Sequence, residues 1–183
     1  MKNISTFLQI SLILLIVSLI TFGCQRSTIN DKDFKINPKD GFSVTHLFEN
    51  GIWTFPKVDD GIDKELHLTG TFPNTKDFYK LSLYVDFYDN IGTETLPMVV
   101  TTTSPDGNSS QSTNVLIEFN DEETLVDLGE ENGRLLKRAY KVVYPSKQFP
   151  EEGAYQFTVY SKYSKMSLPG VKSLTIVAQN VEK

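Results

Sequence analysis

Hydrophobic residues recur at every second position through most of the chain beyond residue 40, the spacing of strands that bury one face. Leu81, Leu83, Val85 and Phe87 give the cleanest case, with Lys80, Ser82, Tyr84, Asp86 and Tyr88 on the opposite face. That strand is expected to have one core face and one wet face. Tyr155, Phe157 and Val159 give a second clean strand, and Phe42, Val44 and Phe48 an earlier one. Leu66, Leu68 and Phe72 continue the alternation, with Gly70 in phase where a side chain would otherwise stand. A glycine so placed predicts a bulge or the close approach of another backbone. Leu135 to Tyr144 and Val171 to Val181 also read as strands. Turn signals separate these runs at Asn50-Gly51, Asp89-Asn90-Ile91-Gly92, Phe149-Pro150-Glu151-Glu152-Gly153 and Leu168-Pro169-Gly170.

The stretch from Leu96 to Phe119 reads as a central antiparallel hairpin. Two β-rich runs flank Ser104-Pro105-Asp106-Gly107. Pro105 presets its φ for the second position of a type I turn, and Gly107 can take the positive φ that closes a bulged hairpin. Residues 57–63 read as a loop. Residues 120–132 carry six acidic side chains with only Leu125, Val126 and Leu128 apolar, and read as a solvated loop with at most a turn of helix.

The pattern predicts about eight or nine strands at the spacing of sandwiches and barrels, and no helix-period segment of useful length after the leader. The expected fold is therefore all-β, an antiparallel two-sheet β-sandwich. Composition agrees, with 12 Phe and 8 Tyr among 183 residues and short intervals between Gly and Pro. A body of about 150 residues buries roughly 70% of its unfolded surface and needs no disulfide to hold it. Net charge is -5 with no basic face, which argues against a nucleic-acid partner.

The start of the chain assigns a compartment. Residues 1–23 carry Lys2, no acid, and an apolar run from Phe7 to Ile20, and they end in Thr21-Phe22-Gly23 before the only cysteine, Cys24. The run is short and interrupted by Gln9, Ser11 and Ser18, so it reads as a secretory signal peptide and not as a membrane span. A lone cysteine after a small residue at the end of such a run resembles a bacterial lipoprotein signal, which implies lipidation of Cys24. Acyl chains contribute about 0.8 kcal/mol per buried CH₂, enough when several are attached to hold a protein on a membrane. The expected organisation is a signal peptide over 1–23, a lipidated N-terminus and polar tether over 24–40, and a β-sandwich over 41–183.

Catalytic apparatus is not visible. His46 and His67 fall on predicted strands without the cysteines or third histidine that would make a metal site. Gly-x-Ser-x-Gly does not occur, and the paired acids of 120–132 lack the apolar pocket that raises a carboxyl pKa. Asp106-Gly107-Asn108 lacks the ordered acids and terminal glutamate of a calcium loop, so turn chemistry is preferred. No cofactor is expected. Trp53, Tyr84, Tyr88, Tyr160 and Tyr163 are the aromatic candidates for a binding platform. Tyr84 and Tyr88, on the polar face of their strand, are the expected partner surface.

With these residues placed, the chain resembles the gliding motility lipoprotein GldH family of Bacteroidota. The resemblance rests on Gly51-Ile52-Trp53, on the strand from Tyr79 to Phe87, on Val100-Thr101-Thr102-Thr103-Ser104-Pro105-Asp106-Gly107, and on Leu168-Pro169-Gly170-Val171. It implies a non-enzymatic envelope lipoprotein that serves adhesin movement through contacts with other envelope proteins. The membrane partner is then the lipid anchor. Gln25-Arg26-Ser27 contains no acidic export run, which favours a periplasm-facing position. The alternative is a carbohydrate-binding or other ligand-binding envelope lipoprotein in a non-gliding species, which requires a row of exposed aromatics.

Overall fold

The computed structural model describes residues 40–59 and 61–181. Cys24, the expected signal peptide and nearly all of the expected tether lie outside the described residues. The described part is a sandwich of two antiparallel sheets, as the alternation predicts. One sheet has five strands in the order β1 (Gly41–Leu47), β13 (Val171–Asn180), β6 (Phe78–Tyr88), β10 (Arg134–Gln148), β9 (Leu125–Glu131). The other has four, in the order β5 (Glu65–Thr71), β11 (Ala154–Ser161), β7 (Thr95–Thr103), β8 (Ser110–Glu118). Two small ladders complete it, β2 (Ile52–Thr54) with β12 (Ser167–Pro169) and β3 (Lys57–Val58) with β4 (Gly61–Ile62). The latter occupies the stretch expected to be a loop.

The core forms where the apolar faces meet. Leu81, Leu83, Val85 and Phe87 of β6 and Leu174, Ile176 and Ala178 of β13 are buried with Leu96, Met98 and Val100 of β7 and Phe157 and Val159 of β11. One end is closed by an aromatic cluster around Phe72. Its ring stacks on Phe149 at 3.8 Å between centroids, and Phe42, Tyr79 and Tyr155 lie at 5.0, 4.9 and 5.2 Å.

Gly70 has a clear steric reason. The β5 and β11 register runs past it without a shift, so no bulge is present. The close approach is that of a side chain: a Cβ at Gly70 would lie 2.2 Å from the Phe42 ring. Phe42 thus crosses from β1 into the gap that glycine leaves in β5.

Three further expectations are corrected. The hairpin of β7 and β8 exists, but it is not central, because β8 is the edge of its sheet. Part of the acidic stretch 120–132 is not loop but strand β9, paired with β10. The polar face of β6 is not wet. β6 lies inside its sheet between β13 and β10, and neighbours on both sides close over its outward side chains. Tyr84 is 3% exposed and Tyr88 5%, so neither forms the open aromatic surface expected of them. Tyr84 stacks on Tyr140 at 5.6 Å, and the Arg134 guanidinium sits 3.7 Å above the Tyr88 ring.

Candidate functional site

Two loop clusters, at opposite ends of the sandwich, concentrate the polar chemistry. The first is the turn at Pro105, Asp106 and Gly107. Its backbone follows the sequence expectation, with Gly107 at φ +76° and its N–H donating to the Ser104 carbonyl at 3.0 Å. Asp106 organises the turn. Its Oδ1 accepts from the Ser104 hydroxyl at 2.6 Å and from the Asn108 N–H at 2.9 Å, while Oδ2 accepts from the Asn108 amide. The turn between β10 and β11 packs against it closely, since a Cβ on Gly153 would fall 2.8 Å from that of Pro105.

These donors, the Ser104 hydroxyl first, hold the Asp106 carboxyl down to about 2. Glu151 moves the other way, raised by burial and by the Asp106 charge. The two have opposite linkage. A carboxyl depressed in the folded state contributes stability above its unfolded value of 3.8 and loses it as pH falls through about 2. A raised carboxyl contributes fully below its unfolded value of 4.5 and loses that contribution as pH rises. Between pH 4 and pH 2 Glu151 is largely protonated in both states, so within this pair the slope belongs to Asp106. Asp106→Asn should therefore flatten the fall in urea midpoint across that window, and an unaltered slope would show that the turn does not titrate with folding. The turn is structural: its polar atoms face one another.

The second cluster is a cleft of about 340 Å³ at the other end, lined by Leu47, Asn50, Tyr88, Asn132, Arg134 and Lys172 among others. Two Asn-Gly pairs build its rim. Asn50 and Gly51, after β1, have φ +54° and +67°, and Asn132 and Gly133 have +52° and +74°. The second pair is the two-residue type I′ turn that joins β9 to β10, placing Glu131 opposite Arg134. A Cβ on Gly51 would meet the Tyr88 ring at 2.8 Å, so the first turn presses on the ring from its own side.

Charge is arranged around Tyr88. Its hydroxyl donates to Glu131 Oε2 at 2.9 Å, and Lys172 Nζ bonds both oxygens of that carboxylate at 2.7 and 2.6 Å. Lys172 first, then Tyr88, holds the Glu131 carboxyl below its ordinary range, and burial pushes the Tyr88 hydroxyl up. Arg134 is different. It rests on the π face of Tyr88 and pairs with no carboxylate among the described residues. The cleft therefore carries two cations, Lys172 and Arg134, that share the charge of a single carboxylate, Glu131, with two side-chain amides and Leu47, which is 69% exposed.

The chain matches no protein-family model and no curated protein.

Of the aromatic candidates, Tyr88 reaches this cleft, as part of its floor. Tyr84 lies elsewhere on the same strand, Trp53 is buried against Phe48 and Phe55, and only Tyr160 is well exposed. Tyr163 packs partly buried against the core, so among the described residues these five candidates form no single exposed row. His46 and His67 lie in different sheets, with His46 edge-on to Phe48 and His67 bonded to Thr158. Among the described residues no three His, Cys, Asp or Glu side chains gather as metal ligands would. Arg134, Glu131 and Lys172 have no sequence motif of their own, although Asn132-Gly133 is a hairpin signal that points to the rim. Chemically the cleft is equipped to grip an anionic group beside an apolar one.

Proposed function

We propose that this protein is a non-enzymatic envelope lipoprotein, anchored through Cys24, that works by docking other envelope proteins of a gliding or adhesin-moving apparatus. The observation that carries the docking part is the placement of the cleft. The first described residue, Asp40, accepts at its carbonyl from the Asn180 N–H beside Tyr79, at the end opposite Tyr88 and Arg134. Within the described body, the Arg134 guanidinium and the exposed Leu47 thus lie at the end far from Asp40. Such a site suits a partner segment carrying a carboxylate next to an apolar side chain. Tethering also raises the effective concentration of partners held on the same membrane. The gliding assignment itself draws on the resemblance of the Val100 to Gly107 segment and its companions.

The test is deletion of the gene, followed by complementation with the natural protein, with Cys24→Ala and with Arg134→Glu. Deletion should abolish colony spreading and surface adhesin movement, and Cys24→Ala should move the protein out of the membrane fraction. Arg134→Glu should leave it folded and membrane-bound yet fail to restore movement. Normal spreading, adhesin movement and secretion after deletion would sink the motility role, and persistent membrane attachment of Cys24→Ala would sink the anchor.

A further inference from the structure

The four free sheet edges of the sandwich are not treated alike. On one side β1 and β5 pack on each other, with Phe42 inserted over Gly70. On the other side β9 is broken by a register shift against β10 and by Gly129 at φ +98°, and it carries Asp127, Glu130 and Glu131. Bulges and charge are standard guards of a free edge. β8 has neither along most of its length. It pairs with β7 through nine residues without a shift, and from Ser110 to Ile117 it contains no charge, no proline and no glycine.

Its main-chain bonding can be assigned residue by residue. The Ser104 N–H donates to the Ser109 carbonyl and the Phe119 N–H to the Glu94 carbonyl, and both pairs belong to the β7 and β8 register. Hydrogen-bonded pairs recur at every second position of an antiparallel ladder. Gln111, Thr113, Val115 and Ile117 therefore bond to β7, and Ser110, Ser112, Asn114, Leu116 and Glu118 turn their N–H and C=O groups outward. Among the described residues no strand pairs with that side.

The layer count leaves room there. β10 packs across from β8 as β1 does from β5, so β9, beyond β10, has no strand opposite it in the four-stranded sheet. A strand added to β8 would fall in that place. Lysines flank it. Lys147 Nζ bonds Gln111 Oε1, Lys162 Nζ bonds Asn114 Oδ1 at 2.8 Å, and Lys141 Nζ stands 3.9 Å from Glu118. Three ammonium groups thus line one edge that supplies a single carboxylate, in a chain of net charge -5.

We propose that the free edge of β8 is a strand-addition site for an extended, acid-bearing segment of another protein. Main-chain bonds to Ser112, Asn114 and Leu116 supply the pairing, and carboxylates on the added strand meet Lys141, Lys147 and Lys162. A second copy of this chain is disfavoured as the occupant, because pairing on the same edge would set two lysine rows against each other. The site is separate from the Arg134 cleft, and the inference stands whether or not the protein serves in motility.

The experiment is hydrogen exchange on the full chain in detergent, with two probes: the peptide acetyl-Thr-Glu-Val-Glu-Thr-Glu-Val-Thr-amide and its counterpart with lysine at each glutamate. With the acidic peptide at about ten times its Kd, exchange over residues 109–119 should slow about tenfold, and the lysine peptide should leave it unchanged. Asn114→Pro deletes an outward N–H without touching a bond to β7, so it should abolish the effect while β6 stays protected. Should that variant not fold, the double charge reversal Lys147→Glu, Lys162→Glu should transfer the preference to the lysine peptide. No protection by the acidic peptide, equal protection by both, or protection that instead grows with the protein's own concentration would each overturn the proposal.

Discussion

Asp86→Ala is expected to cost about 3–5 kcal/mol of folding stability, the range for breaking a buried pair and stranding its partner. The pair sits on the outer face of the five-stranded sheet, where Arg138 Nε and Nη2 donate to the two Asp86 oxygens at 2.6 and 2.9 Å. The Ser173 hydroxyl donates to the same carboxylate at 3.0 Å. Both charged side chains are only 12% exposed, so the guanidinium left behind finds little water. The double substitution Asp86→Leu, Arg138→Met should recover most of the loss, because removing both charges also removes the desolvation cost. Urea midpoints at constant m-value would measure both. A loss under about 1 kcal/mol for the single variant would place the pair among solvated surface bridges.

Phe72→Ala should cost a similar amount, about 3–5 kcal/mol, through the cavity it leaves among aromatic rings. Phe72 touches the rings of Phe42, Tyr79, Phe149 and Tyr155, which come from four separate parts of the chain. Collapse of the cavity is hindered because the Tyr79 and Tyr155 hydroxyls are fixed, one donating to the Asn74 carbonyl at 2.9 Å and the other accepting from the Glu151 N–H at 3.0 Å. Adding Phe149→Ala should then cost less than it does alone, since the stacked pair shares its contacts. Strict additivity in the urea midpoints would refute the shared cluster.

The sandwich was legible in sequence because its core-facing strands alternate. Each of β5, β6, β7 and β11 presents one apolar face to the same core, and period two reports that directly. What alternation does not report is the other face. Tyr84 and Tyr88 stand among polar neighbours on β6, yet an interior strand has side chains on both flanks, and Tyr140, Arg138 and Arg134 close over them. Strand β9 was hidden for the opposite reason. Overhanging at an edge, it has little core to face, so its side chains stay polar and mimic a loop. Asn132-Gly133 was the local signal that it ends in a tight hairpin. For the Arg134 cleft only the turns of its rim were signalled, at Asn50-Gly51 and Asn132-Gly133, and its charged residues were not, because they come from places as distant as Glu131 and Lys172.

The pairing of β1 with β13 joins Gly41 to Gln179 and Leu47 to Ser173. The first strand of the body is thus held by the last, across more than a hundred residues of intervening chain. Contacts of such separation close late, after most chain entropy has been lost, and they set a slow pace for folding. A body emerging N-terminus first keeps β1, Phe42 and the gap over Gly70 unfilled until its final strand arrives. Until then β1 lacks the one strand it pairs with among the described residues, an open edge of the kind that pairs with other chains.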